Sequence, residues 1–367
     1  MLCLTLPFSL THSQSLSQSK MSSTTTTTLA DVLTAVVRDA RLAATFNAIA
    51  DATAQIADTL RSASVGKAGT TNVFGDHQLE VDVIADKIVF NALRDSGAVS
   101  VGASEENPVA VPLHQLEQVQ QVSQKEEETT KVAFFTQEQS ADARENGLVV
   151  TFDPLDGSSC IAPNFAVGSI FGIWPHGELI GRKCGDQLGS AISIYGPRDV
   201  LAIAIPASAA KDDKPHVVEL THIRGVWQVT IADMKIAADG KVFAPGNLRA
   251  TADNPSYQRL VNYWISSKKT LRYTGAMVPD VFHILVQGNG VFCNPPSKTA
   301  PLKLRLLYEV APLSLMIEAA GGRSTDGLNP SVMDRRVSDY DERCAVALGS
   351  SHEVARFLEY NVVADGL

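Results

Sequence analysis

Val149–Ser159 reads V-V-T-F-D-P-L-D-G-S-S. Val149, Val150, Thr151 and Phe152 form a short apolar, β-branched run, which predicts a buried strand. Asp153 and Asp156 flank Pro154, whose ring fixes its own φ and leaves Leu155 in a restrained turn. Two carboxylates and one backbone carbonyl can then converge on a single point, an oxygen cage suited to Mg²⁺. Gly157, Ser158 and Ser159 follow at once and offer N–H groups and hydroxyls without bulk, as a phosphate oxyanion requires. A lone Asp-Gly is an ordinary polar turn, but the whole string brings metal and phosphate chemistry together within a few residues.

The chain of 367 residues, 45% hydrophobic, suits two packed domains or one large α/β unit. Its formal charge of −9 argues against a nucleic-acid surface and favours divalent cations, so an anionic substrate needs local basic residues. Cys3, Cys160, Cys184, Cys293 and Cys344 are far apart, with no C-x-x-C, so neither a disulfide framework nor a zinc site is expected. Met1–Leu10 is apolar but short and precedes Ser/Gln- and Thr-rich residues. Residues 1–28 therefore read as a disordered leader, and no stretch is long enough to span a membrane. Such an acid-free leader also fits a plastid transit peptide. No Arg precedes Arg38, however, and Met21 offers an alternative start, so the expected location is cytoplasmic.

From Leu29 to Leu60 apolar residues recur at helical spacing, predicting one broken or two consecutive amphipathic helices. The segment F-G-D-H-Q-L-E-V-D-V-I-A-D-K then carries Asp76, Asp82 and Asp86 behind a Gly/Thr-rich link. It is readable as a catalytic lid or, equally, as a capped helix start. Val99–Ala103 predicts a strand that ends in Ser104-Glu105-Glu106, two acids that complete a metal site if this end lies beside D-P-L-D. Residues 107–146 are Gln-rich with a charge run and read as a surface insertion. Phe165–Pro175, Asp199–Pro206, Val217–Leu220 and Val226–Ile231 alternate like strands. A second region begins near Lys241, with a helix over Pro255–Ser266, the string L-R-Y-T-G-A-M-V-P-D and a helix opening at Pro279. Finally, K-L-R-L-L-Y-E leads to a helix over Ala311–Ala320. Arg272 suits bidentate phosphate contact, Lys303 could hold a phosphate and Glu309 could close the metal cage, while ordinary surface charge accounts for them otherwise.

Taken together, D-P-L-D-G-S-S, S-E-E, R-Y-T-G-A-M-V-P-D and K-L-R-L-L-Y-E resemble the sugar-bisphosphatase family, which includes the fructose-1,6- and sedoheptulose-1,7-bisphosphatases. The resemblance implies an α/β (α+β) chain in the layered αβαβα sugar-phosphatase fold. Residues 29–240 would form an N-terminal metal and phosphate subdomain, and residues 241–367 a C-terminal sugar-binding one. It makes Glu105, Asp153, the Leu155 carbonyl, Asp156 and Glu309 the ligands of Mg²⁺, with Mn²⁺ as a substitute. Glu106 would lie near the attacking water, with Asp82 and Asp76 on the segment that completes the site. Asp156, Gly157, Ser158 and Ser159 would meet the reacting phosphate; Asn247, Arg272, Tyr273 and Lys303 would hold the sugar and its distal phosphate. The matching Arg reaches a neighbouring subunit's site, which implies a homodimer or homotetramer.

Departures from the family pattern choose among relatives. Where fructose-specific members resemble one another in two tyrosines, this chain has Ala250 and Asn294, and F-A-P-G-N-L-R-A-T-A-D-N-P looks like the sedoheptulose form. Gly147-Leu148 replaces the Lys-Tyr pair of an AMP site, and Val65–Phe74 lacks the paired cysteines of light-regulated enzymes. The implied activity is hydrolysis of the 1-phosphate of sedoheptulose 1,7-bisphosphate. The alternatives, in order, are fructose 1,6-bisphosphate hydrolysis, an inositol or nucleotide monophosphatase, and a non-catalytic bisphosphate sensor.

Overall fold

The computed structural model describes residues 26–62, 67–71, 77–115 and 141–366. Asp76, Cys3, most of the expected leader and residues 116–140 of the expected insertion lie outside them. A hairpin of β1 (Lys67–Thr71) and β2 (His77–Leu79) precedes the main sheet. That sheet comprises β3 (Val99–Ser104), β4 (Val111–Pro112), β5 (Leu148–Asp156), β6 (Val167–Trp174), β7 (Gly189–Tyr195), β8 (Asp199–Ile205), β9 (His216–Ile223) and β10 (Val226–Ile231). Its order is β10-β9-β8-β7-β6-β5-β3-β4, antiparallel except for β3 with β5. A second sheet, in the order β12-β11-β13-β15-β14, contains β11 (Val242–Pro245), β12 (Thr270–Leu271), β13 (Val291–Asn294), β14 (Arg323–Thr325) and β15 (Val346–Gly349).

Helices alternate with these sheets. One core packs α1 (Leu29–Val36), α2 (Ala40–Ser62) and α3 (Glu80–Asp95) on one face of the main sheet, through Phe46, Ile49, Phe152, Phe171 and Leu201. After α4 (Ala141–Asn146) and α5 (Pro255–Ser266), helices α6 (Met277–Gln287) and α7 (Ala311–Ala319) fill the space between the two sheets. The outer face of the second sheet packs on α5, α8 (Ser351–Glu359) and α9 (Val362–Gly366) through Tyr257, Trp264 and Phe357. The layers run αβαβα, as the resemblance implied. The helix at Pro255 starts where the sequence dictates, with Asn254 accepting from the Tyr257 N–H and Pro255 in the first turn.

Several expectations need correction. β6 and β8 do not alternate between core and solvent. Both are buried along their whole length because helices cover both faces of the sheet, so odd and even residues enter different cores. β7 has the same character but was not legible, since Ser190 and Ser193 dilute its apolar run. Thr27 and Thr28, assigned to the leader, belong to the folded body. The Val229 N–H donates to the Thr27 carbonyl at 2.9 Å, Thr28 bridges Gln228, and Thr28 caps α1 in a capping box with Asp31. The ends of the 107–146 segment are also built in: β4 pairs with β3, and Leu113 and Ala143 are buried.

Candidate active site

The parallel pairing of β3 with β5 sets Ser104 beside Phe152, and the Glu105 N–H donates to the Phe152 carbonyl at 2.9 Å. Glu105 and Asp153 therefore leave the same sheet edge at the carboxyl ends of adjacent parallel strands. The D-P-L-D string is not a turn beyond the strand, as expected, but a bulge within it. Asp153 opposes Ile170 and Asp156 opposes Gly168, so one extra residue is absorbed and the two carboxylates are re-aimed. Ser169, opposite the bulge, pins it by donating to the Pro154 carbonyl at 2.7 Å, with the Tyr195 hydroxyl 2.7 Å behind.

Glu309 arrives from a π turn, Leu306–Val310, which runs directly into α7. Such turns insert one residue into a helix and re-aim a side chain. Oxygens of Glu105, Asp153 and Glu309 lie within 4.8 Å of one another. The Arg305 N–H donates to Glu309 at 2.6 Å, and the Val278 N–H at the start of α6 donates to Asp156 at 2.6 Å. Burial pushes Asp153 and Glu309 well above the ordinary carboxylate range, and the neighbouring charge of Glu105 adds to it. Asp156 is raised to about 7 by burial, against the pull of the Val278 and Met277 N–H groups. Glu105 is raised by burial while Arg305 opposes the shift. A buried set of hard oxygens this short of positive charge fits a divalent cation.

Gly157 has a left-handed φ of 82°, and a Cβ there would stand 2.3 Å from the Cβ of Ala276. The glycine lets the loop of Ser158 and Ser159 rest against the start of α6. Gly157→Ala is therefore expected to cost about 2 kcal/mol or more, from conformation and overlap together, and to lower the thermal midpoint along with activity.

Asp82 is buried in the first turn of α3, which packs on β3 and β5. Glu106 is half-buried, its N–H donating to Ser104 at 3.2 Å. Asp86, one turn after Asp82, is raised to about 7 by burial despite a hydrogen bond with Ser104, and Glu106 adds to the rise. It had no assigned role, yet the i,i+4 spacing puts it on the Asp82 face. Arg305 was also overlooked. It is buried, ion-paired with Glu105 and 2.9 Å from Asp341. A charge inside the apolar run Leu304–Leu307 signals a buried partner.

The sugar-side candidates gather at another edge. β11, β12 and β13 run parallel, and Asn247, Arg272 and Tyr273 lie just past their carboxyl ends. Asn247 has φ 47°, and its amide donates to the Pro295 and Ala300 carbonyls at 2.9 and 3.3 Å, which ties together the loop leading to Lys303. Arg272, Tyr273 and Lys303 are exposed. The backbone from Tyr273 to Val278 then connects this edge to the Asp156 and Gly157 side, with Asp280 accepting from the Thr274 N–H at 2.8 Å.

Residues 23–122 and 112–211 match the family model described as fructose-1-6-bisphosphatase, N-terminal domain, and residues 236–362 match the C-terminal domain. The chain is 42% identical over 332 residues to a chloroplastic sedoheptulose-1,7-bisphosphatase of Triticum aestivum, covering 90% of this chain and 76% of that protein. It is 32% identical to the class 1 fructose-1,6-bisphosphatase of Geobacter sulfurreducens, covering 85% and 88%. A Toxoplasma gondii crystal structure assigned as a sedoheptulose-1,7 bisphosphatase superposes with a TM-score of 0.74 at 35% identity, over 88% of this chain and 95% of that one. The fructose-1,6-bisphosphatase of Leishmania major shares the fold at a TM-score of 0.75 and 24% identity, over 92% and 99%.

Proposed function

The chain belongs to the fructose-1,6-bisphosphatase family, and from that premise we propose that it hydrolyses the 1-phosphate of sedoheptulose 1,7-bisphosphate. The observation that carries this reading is the convergence of half-buried Glu105 with buried Asp153 and Glu309 beside the Gly157 loop. Preference for the seven-carbon sugar is supported by Ala250 and Asn294. Ala250 is fully buried, so no phenol fits at that position without displacing its neighbours. Relatives at 42% identity bear the sedoheptulose name.

In this reading Glu105, Asp153, Asp156, Glu309 and the Leu155 carbonyl hold Mg²⁺ or Mn²⁺, which supplies Lewis-acid polarisation of the phosphate and a more acidic water. The Glu106 carboxylate accepts the proton of the attacking water, with Asp82 relaying it and Asp76 completing the site. N–H groups of Gly157, Ser158 and Ser159 take the charge on the equatorial phosphate oxygens. Lys303, Arg272, Tyr273 and Asn247 bind the distal phosphate and the sugar. Exposed Arg272 serves the site of a neighbouring copy in a homodimer or homotetramer.

Phosphate release from sedoheptulose 1,7-bisphosphate, fructose 1,6-bisphosphate and inositol phosphate, with Mg²⁺ and with chelator, tests the proposal. The seven-carbon substrate is expected to give the highest kcat/KM, and activity confined to inositol phosphate would overturn the reading. Lys303→Ala is expected to raise KM for the bisphosphate about tenfold or more with little change in kcat, because it removes a grip made before the chemical step. For location, the cytoplasmic reading stands against the chloroplastic names of the relatives. A fluorescent fusion of residues 1–28 decides between them. Among the described residues no helix is long and apolar enough to cross a membrane.

A further inference from the structure

Two residues before Asp153, and on the same face of β5, stands a threonine that the reaction above does not use. Thr151 is fully buried; its Oγ donates to the Leu307 carbonyl at 2.8 Å and accepts from the Trp174 Nε1–H at 3.0 Å. Leu307 lies inside the π turn that presents Glu309. In that turn the Glu309 N–H reaches back four residues to the Arg305 carbonyl at 3.2 Å, and the next two reach back five: Val310 to the Arg305 carbonyl at 3.1 Å, Ala311 to the Leu306 carbonyl. The next donor in the series would be residue 312, which is a proline without an N–H. The Leu307 carbonyl thus lacks its partner within the series, and the Thr151 hydroxyl takes that place. Gly172 on β6 makes the approach possible, since a Cβ there would stand 2.9 Å from Thr151 Oγ and 3.0 Å from Pro312 Cγ.

We propose that Thr151 is a positioning residue for Glu309: its hydroxyl fastens the π turn to β5 and so fixes the Glu309 carboxylate opposite Asp153. The proposal rests on the reading of these acids as the metal site. A buried carbonyl left unpaired is costly, and the turn can escape that cost by shifting to the tighter α register, which rotates Glu309 by about 100° relative to α7. Support of this kind governs metal affinity as strongly as some ligands do.

The test compares the purified full chain with Thr151→Val, which keeps the shape without the hydroxyl, and Thr151→Ser, which keeps the hydroxyl. Mn²⁺ affinity is measured by calorimetry, thermal midpoints in chelator, and kcat and KM with saturating Mn²⁺. Thr151→Val is expected to bind Mn²⁺ about tenfold more weakly, with lower kcat and unchanged KM, and Thr151→Ser is expected to restore both. If the valine chain does not fold, Thr151→Ala takes its place in the same comparison. A Mn²⁺ affinity equal to wild type, whatever the thermal midpoint, overturns the proposal and leaves the metal site intact. A wild-type chain that binds no Mn²⁺ overturns the metal-site reading and the proposal with it.

Discussion

Glu309→Gln is expected to lower metal-dependent phosphate release about a thousandfold or more while leaving the metal-free protein at least as stable as wild type. The two halves of this expectation have one cause. Glu309 is buried against Glu105 and Asp153, and its carboxyl is held well above the ordinary range. Ionising it therefore costs the empty fold free energy, a cost that a neutral amide of the same shape does not carry. On the proposed reading, the same charge would be the attraction that holds a bound cation. Losing one anionic ligand from a site worth several kcal/mol of transition-state stabilisation corresponds to a rate loss of that size. Phosphate-release kinetics and thermal melts in chelator check both halves. A variant that keeps more than a tenth of wild-type turnover would remove Glu309 from the metal site.

The second expectation concerns pH. In the metal-free protein the acid cluster should become more destabilising as pH rises from about 4 to above 7, the reverse of the common salt-bridged carboxylate. Asp156 is raised from 3.8 to about 7. Below about pH 4 it is protonated both folded and unfolded, and contributes no difference. Between these values the unfolded chain has released its proton while the folded one retains it, so each increment in pH favours unfolding. Above about 7 the full penalty for Asp156 is roughly 4 kcal/mol. A bound cation removes the penalty. The increase in thermal midpoint on adding Mg²⁺ should therefore be small at pH 5.5 and grow towards pH 8. Asp156→Asn should flatten the pH dependence in chelator, and an unchanged slope in that variant would show that Asp156 is not the group responsible.

Much of the candidate site's placement was legible because its residues sit in strings whose chemistry is local. Asp153, Asp156 and Gly157 share one stretch, and Glu105 ends a strand whose parallel pairing with β5 brings it alongside. What the sequence could not display was hydrogen-bond register. The bulge at Pro154 and the π turn at Glu309 each insert one residue, and hydrophobic periodicity reports burial rather than which N–H meets which carbonyl. Arg305 and Thr151 escaped notice for the same reason: their partners, Glu105 and Leu307, are far away in the chain. β6 and β8 were recognised as strands but not as doubly covered, because a short strand carries too few residues to reveal a second buried face.

The attachment of Thr27 and Thr28 to Gln228 and Val229 has a practical corollary. β10 is the last strand on its side of the main sheet, and these threonines occupy backbone groups that would otherwise face solvent. A truncation that spares Thr27 keeps this border covered. One that removes it leaves an open strand able to pair with the same strand of another molecule, inviting self-association. Trimming for expression or crystallisation is best stopped ahead of Thr27, and a tag placed there calls for a spacer long enough to leave the threonines seated.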